Sequence, residues 1–337
     1  GAMDFPFPEP PGPGEWREIA PGVLWARLAL PFRLDHVNVY AIADGDGWVL
    51  VDAGIADAPS RAAWEALLPG LGRVRALVVT HDDPDHIGLA GWLCERLGVP
   101  LWTSRAAFLT ATAFAHSPGL LEADEYRRFY AAHGMRDEVA ALVATQGHRY
   151  LRMLSTPPRT YRRLARGDGL GIGGRDGRVL TADGHSAEHV MLLSDADGLL
   201  VAADQVIERI SPNVSVQAFE PDGDPLGRFL AGLAMLEREA GEGTLVLAGH
   251  RLPFRGLHER TAELRAHHAM RCGLVLDACR AAPRTAGDLL PVLFPRPLDP
   301  HQTSFAFGET LAHVNHLVAR GALRWEEEGG LRRVALA

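Results

Sequence analysis

Short apolar runs bounded by turn residues recur through the first half of the chain and predict strands. Residues 23–28 (VLWARL), 37–42 (VNVYAI) and 48–52 (WVLVD) are three such runs, with a hairpin turn at Asp44-Gly45-Asp46-Gly47. Residues 60–68 have helical spacing. Residues 75–80 (RALVVT) form an apolar, β-branched run of the kind buried on both faces. Residues 87–95 then predict a helix packed on the sheet, and 100–103 the next strand. From about 104 to 164 the rhythm breaks, and 106–115, 122–133 and 137–148 all predict helices. Strands resume at 177–181, 190–194, 198–203 and 244–248. Residues 167–174 are glycine-rich but neither follow a strand nor open a helix, so they read as turns and not as a phosphate cradle. Residues 261–279, 285–290 and 308–320 predict further helices. Residues 323–326 and 331–334, joined by Glu327-Glu328-Gly329-Gly330, predict a two-stranded wing.

This is an α/β pattern with a helical end. It divides into a flexible N-terminal arm over 1–15, a catalytic domain over 16–257 and a helical C-terminal domain over 258–337. Gly1-Ala2 reads as a tag remnant before a native Met3. The helical block at about 104–165 is an insert in the catalytic domain and a natural lid over a site. At 337 residues with 47% hydrophobic side chains, the chain can bury one large core and a smaller second one. A net charge of −8 without a basic stripe argues against nucleic acid as partner and for a small-molecule substrate. The 3 cysteines, Cys94, Cys272 and Cys279, lack ligand spacing and suggest a reducing compartment. No apolar run reaches the roughly 18 residues of a membrane span, and no signal peptide is evident, so the expectation is a cytoplasmic protein away from membranes.

The chemistry concentrates in His81-Asp82-Asp83-Pro84-Asp85-His86, which places His81, Asp83, Asp85 and His86 on the loop after the 75–80 strand. Open α/β sheets place ligands at such strand ends, and imidazoles crowded with carboxylates call for cations. Three later strands end in the same way: His185 after Gly184, Asp204 after residues 199–203, and His250 after Gly249. Seven residues thus fit a two-metal site: His81, Asp83 and His185 for one ion, Asp85, His86 and His250 for the other, and Asp204 bridging. Nitrogen and oxygen donors of this mix suit zinc, manganese or iron. Two such ions acidify a shared water to hydroxide, and Asp85 would orient or deprotonate it. His189, four residues after His185, reads equally as a supporting hydrogen-bond partner or a structural histidine, and Asp52 as a residue that orients ligands. His116, His133 and His148 read as solvated helix positions, the histidines after 260 as structural, and Tyr161 as packing.

The order His-x-Asp-x-Asp-His, Gly-His, Asp, Gly-His resembles the signature of the metallo-β-lactamase-fold hydrolase superfamily over about residues 16–255, with Asn38 and Val51-Asp52-Ala53-Gly54 in place. The resemblance implies an αββα sandwich with two divalent ions at one edge. The C-terminal module resembles the winged helix of the β-lactamase-like protein 2 group. One position departs: Asp83 stands where the family has histidine. Three carboxylates and one hydroxide then neutralise two divalent ions, where the usual set leaves one positive charge. That change tilts the choice from zinc toward manganese or iron. Flavodiiron members of the superfamily also carry a carboxylate there.

The function expected is hydrolysis of a small ester, thioester, lactone or phosphoester, with promiscuity among them. A nuclease or RNA-processing role and a redox diiron role stay open beside it. The helix over 261–279 and the winged module offer a homodimer surface.

Overall fold

The computed structural model describes residues 3–337, the side chain of His148 excepted. The tag remnant and the solvated reading of His148 lie outside the described residues. The chain forms two compact units, each assembled from three stretches.

The first unit comprises Gly1–His116, Tyr150–Pro212 and Ala234–Thr261. One sheet runs in chain order through β1 (Arg17–Ala20), β2 (Val23–Ala29), β3 (His36–Asp44), β4 (Gly47–Val51), β5 (Arg73–Val78), β6 (Leu101–Thr103) and β7 (Arg162–Arg163). The other contains β8 (Gly169–Ile172), β9 (Arg175–Ala182), β10 (His189–Ser194), β11 (Leu199–Ala203) and β12 (Leu245–Ala248), in the order β12-β11-β10-β9-β8. β4 to β7 are parallel, as are β11 and β12, and the remaining pairs are antiparallel.

The period-two pattern sorts side chains between two cores. On β3, Val37, Val39 and Ala41 join the core shared with the Ala58–Leu67 and Ala90–Leu97 helices, while Tyr40 and Ile42 join the core between the sheets. Residues 76–79 alternate in the same way: Leu77 and Val79 face the helices, Ala76 and Val78 the opposite sheet. Both faces of this strand are therefore covered, which is why it reads as unbroken apolar sequence. Tyr161 stacks on Phe108 with ring centres 4.1 Å apart, a packing role.

Three readings change here. The glycine-rich segment is not all turns: Gly169–Ile172 is edge strand β8, with Leu170 and Ile172 in the inter-sheet core and glycines on the open face. The Pro225–Glu239 helix was not anticipated, although Leu226, Phe229, Leu233 and Leu236 follow helical spacing and are buried. Residues 3–15 are docked: Asp4 and Arg255 exchange backbone hydrogen bonds of 2.9 and 2.8 Å, and Phe7 packs on the inter-sheet core.

The second unit comprises Ser117–Arg149, Asn213–Leu233 and Ala262–Ala337. The Asp124–Ala132 and Asp137–Ala144 helices, expected within the catalytic domain, cluster here because their aromatic and apolar side chains meet C-terminal ones. Tyr130 packs edge-on to Phe307 and His133 to Trp325. The Ala286–Leu293 and Pro300–Ala319 helices both begin in capping boxes, Thr285 with Asp288 and Asp299 with Gln302. β13 (Leu323–Glu328) and β14 (Leu331–Leu336) pair antiparallel across Gly329-Gly330, whose φ of 60° and 79° is what a two-residue hairpin turn needs.

His133 is buried at 1% exposure, not solvated as its polarity suggested. Burial pushes it and His313 down to about 4, and His268, whose Nδ1 lies 3.1 Å from His313 Nε2, down to about 3. The unfolded chain protonates these rings near the ordinary value of 6.5, the folded chain only below about 4. Their contribution is therefore complete above about pH 6.5 and is lost as pH falls toward 4. Thermal unfolding should shift to lower temperature between pH 7 and pH 5. His133→Phe, packed between Phe129 and Trp325, should flatten that loss by one histidine, about 2 kcal/mol at pH 5. Unfolding scans across the pH series on both proteins check this, and equal slopes would refute it.

Candidate metal centre

Four chain segments deliver the seven residues. The turn after β5 carries His81 and Asp83, and the short Pro84–Ile87 helix that Asp83 opens carries Asp85 and His86. His185 lies in the β9–β10 connection, Asp204 directly follows β11, and His250 lies two residues beyond β12. His81, His86, Asp204 and His250 are buried. Gly249 has no alternative: a Cβ there would lie 2.2 Å from Asp204 Oδ1 and 2.8 Å from His86 Cε1.

The donor atoms fall into two groups sharing Asp204. His81, Asp83, His185 and Asp204 form one, Asp85, His86, Asp204 and His250 the other, with donor atoms in each within 4.8 Å of one another. Asp204 Oδ2 lies 3.4 Å from His81 Nε2, 3.5 Å from His185, 3.1 Å from His86 and 3.4 Å from His250. Asp83 Oδ2 flanks the first group at 3.0 Å from His185 Nε2 and 3.4 Å from His81 Nε2. Asp85 Oδ2 flanks the second at 3.2 Å from His250 Nε2 and 3.4 Å from His86 Nε2. Short as it is, the Asp83 side chain reaches into the first group.

The imidazoles are aimed from behind. Asp52 accepts from His86 Nδ1–H at 2.8 Å and from the Thr80 backbone N–H at 2.8 Å. Its carboxylate also receives the Thr80 hydroxyl at 2.9 Å, and that oxygen accepts from His81 Nδ1–H at 2.8 Å. One carboxylate thus sets the tautomer of two histidines and turns both Nε2 lone pairs toward Asp204. The His36 carbonyl does the same for His250, accepting from Nδ1–H at 2.8 Å. Asn38 donates to the Ala248 and Arg251 carbonyls, and Tyr40 to Ala248, so β3 grips the backbone on both sides of His250. His189 accepts the Asp204 backbone N–H at 3.1 Å and stacks on His81, so it packs directly against two of the seven residues. Thr80, His36 and Tyr40 were not singled out from sequence; only Thr80, adjacent to His81, carried a local signal.

Backbone strain gathers at the same place. Of the five left-handed non-glycine residues among those described, Asp52 (φ 66°), Glu188 (46°), Ala203 (43°) and Arg251 (64°) each bond to or adjoin one of these histidines or Asp204, and Arg209 (60°) stands apart.

Burial opposes charge on all these groups, yet facing groups of opposite sign win. Asp204, Asp85 and Asp52 raise His86 well above its ordinary value despite its burial, and Asp83 and Asp204 do so for His185. His250 is pushed to about 10 against burial, mainly by Asp204. Asp83 and Asp204 are held well below the usual carboxylate range by the histidines, against the cost of desolvation. The carboxylates therefore demand positive charge at the Nε2 positions, which divalent ions supply. His81 Nε2 and Asp204 Oδ1 are buried without a hydrogen bond, as ligand atoms are before a cation is counted. The donor set of imidazole nitrogens and carboxylate oxygens fits such ions.

Asp52→Asn is a clean test of the aiming role, because asparagine tolerates the left-handed backbone but replaces one acceptor oxygen by a donor amide. Metal affinity should fall about 10- to 100-fold with the fold retained. Competition with a chromophoric chelator measures this, and an unchanged affinity would remove Asp52 from the centre.

Comparison with known proteins agrees with this geometry. Residues 32–262 match the family model of the metallo-beta-lactamase superfamily, and residues 272–335 that of the metallo-beta-lactamase-like C-terminal domain. A beta-lactamase domain protein from Burkholderia ambifaria superimposes with a TM-score of 0.89 at 40% identity, covering 99% of this chain and 97% of that one. A metallo-beta-lactamase family protein from Thermus thermophilus gives 0.82 at 30% identity, covering 95% of this chain and 100% of that one. A probable metallo-hydrolase of Bacillus subtilis (strain 168) is 38% identical over 78 residues, 22% of this chain and 33% of that protein. A seven-donor cluster on the expected strand ends, in a two-sheet fold matched along nearly its whole length, leads to one conclusion: the chain belongs to the metallo-beta-lactamase superfamily.

Proposed function

We propose that this protein is a metal-dependent hydrolase. Its two ions would be held by His81, Asp83 and His185 on one side and by Asp85, His86 and His250 on the other, with Asp204 between. The convergence of four Nε2 atoms within 3.5 Å of Asp204 Oδ2 carries this reading. Bound divalent ions supply Lewis acidity, polarising a carbonyl or phosphoryl oxygen and acidifying water. Zinc fits the four imidazoles, and the third carboxylate admits manganese or iron.

The chain's own residues supply approach and orientation. Side-chain exposure is 37% at Asp83 and 18% at Asp85 but 9% or less at the four histidines, so substrate meets the centre over the two carboxylates. Asp85 accepts a hydrogen bond from the attacking water, orients it and receives its proton at a carboxylate oxygen. The remaining ligands are sheathed by the fold, which keeps their charges in a low-dielectric setting where they act strongly.

A small ester, thioester, lactone or phosphoester is the substrate class. The C-terminal segment reads as a winged helix, with Arg284 bridging Val334 as a one-residue third strand beside the β13–β14 wing. The wing favours a small molecule over nucleic acid, because Arg333 and Arg332 stand across from Glu326 and Glu327 and present no basic face. The name of the Bacillus subtilis relative, a probable metallo-hydrolase, supports the same class.

Elemental analysis of protein purified without a chelating tag should find about two equivalents of metal per chain, falling to about one in Asp83→Ala. Turnover on a panel of the four substrate classes should vanish on chelation and return with added metal. Asp85→Asn should lower kcat about 10²- to 10⁴-fold. Metal-independent turnover, or none on any class with two ions bound, would sink the proposal.

A further inference from the structure

A cavity of about 440 Å³ opens within the second unit. Its walls are the segment around Gly134–Leu142, the Ala286–Leu293 helix, the loop after it and the start of the Pro300–Ala319 helix. The volume is in the range of small-molecule sites. Met135 and Phe307, both buried, line it together with Phe294, and Leu142 lines it while keeping 52% of its own surface exposed. Its charged lining residues are Arg136 and Arg296, and no acidic side chain lines it. Among the described residues, no ion pair takes up either guanidinium, although Asp137 and Glu138 follow Arg136 in the first helical turn.

The wall that carries Arg296 is stiff. Pro295 and Pro297 flank it, and each proline fixes its own φ. Little backbone ordering is left to do on binding, which favours affinity. Arg136 and Arg296 are both exposed, so water and not an acidic side chain meets their charge; an apolar concavity edged by two such guanidinium groups selects a ligand that is apolar at one end and anionic at the other.

We infer that this cavity binds a small amphipathic anion, its alkyl or aryl tail among Met135, Phe294 and Phe307 and its head against Arg136 and Arg296. The head is a carboxylate or a phosphate; both offer oxygens to a guanidinium fork. The site does not depend on the metal centre or on the reaction proposed for it.

Calorimetric titration of the full-length chain with octanoate, octyl phosphate, octylamine and octanol tests the inference. At least one of the two anions should bind one-to-one, at least tenfold tighter than octylamine or octanol, and the tighter of the two names the head. The double variant Arg136→Gln/Arg296→Gln should lose that tenfold preference while its unfolding temperature and its octanol binding stay unchanged. No binding by either anion, equal binding by octylamine, or an unchanged preference in the double variant would overturn it. So would self-association by sedimentation that Leu142→Ser abolishes, since a second copy would then cover the cavity.

Discussion

One buried carboxylate organises the centre. Asp52 has hydrogen-bond donors on both oxygens, from the Thr80 backbone, the Thr80 hydroxyl and His86. A buried carboxylate without such donors costs several kcal/mol, so its own solvation keeps the β5 turn closed. Through Thr80 it also reaches His81, so one histidine of each donor group is aimed by the same anion. The left-handed backbone at Asp52 is what lets the side chain turn back beneath the turn after β5. His36 and Asn38 repeat the device from β3 for His250, in one case with a carbonyl and in the other with an amide.

Given that scaffold, a carboxylate at position 83 in place of the imidazole that the resemblance leads one to expect bears on the charge of the cluster more than on its geometry. Its Oδ2 lies 3.0 Å from His185 Nε2, inside the same group of donor atoms. On the proposed ligand set, a third carboxylate makes the cluster more negative, so it would favour cations more strongly and acidify bound water less. On the proposed reading, the more exposed of the two flanking carboxylates lies on the approach side, where it would repel anionic substrate groups.

The chain's second unit shows how compactness departs from chain order. Two helices from the middle of the sequence share a unit with the C-terminal helices and wing because aromatic contacts such as Tyr130 with Phe307 join them. The contacts bury His133, a histidine that sequence polarity would place in water. The same gathering of distant segments creates the cavity between Met135 and Phe307.

Local rules wrote much of this protein legibly. Short apolar runs marked β2 to β6 and β9 to β12, and the crowding of His81, Asp83, Asp85 and His86 after an apolar run marked a candidate cation site at a strand end, because those signals need only neighbours in sequence. Where the local signal was ambiguous it misled: glycines on the open face of β8 looked like turns, since nothing local says that Leu170 and Ile172 have a sheet to cover them. What only the tertiary structure decided are pairings across long separations. His36 with His250 is 214 residues apart, Asn38 with Ala248 is 210, and His86 with Asp204 is 118. Residue type along the chain determines which groups can donate, accept or carry charge. Which lone pair faces which partner depends on how the two sheets close, and that is set by the burial of the whole inter-sheet core, which no single segment contains.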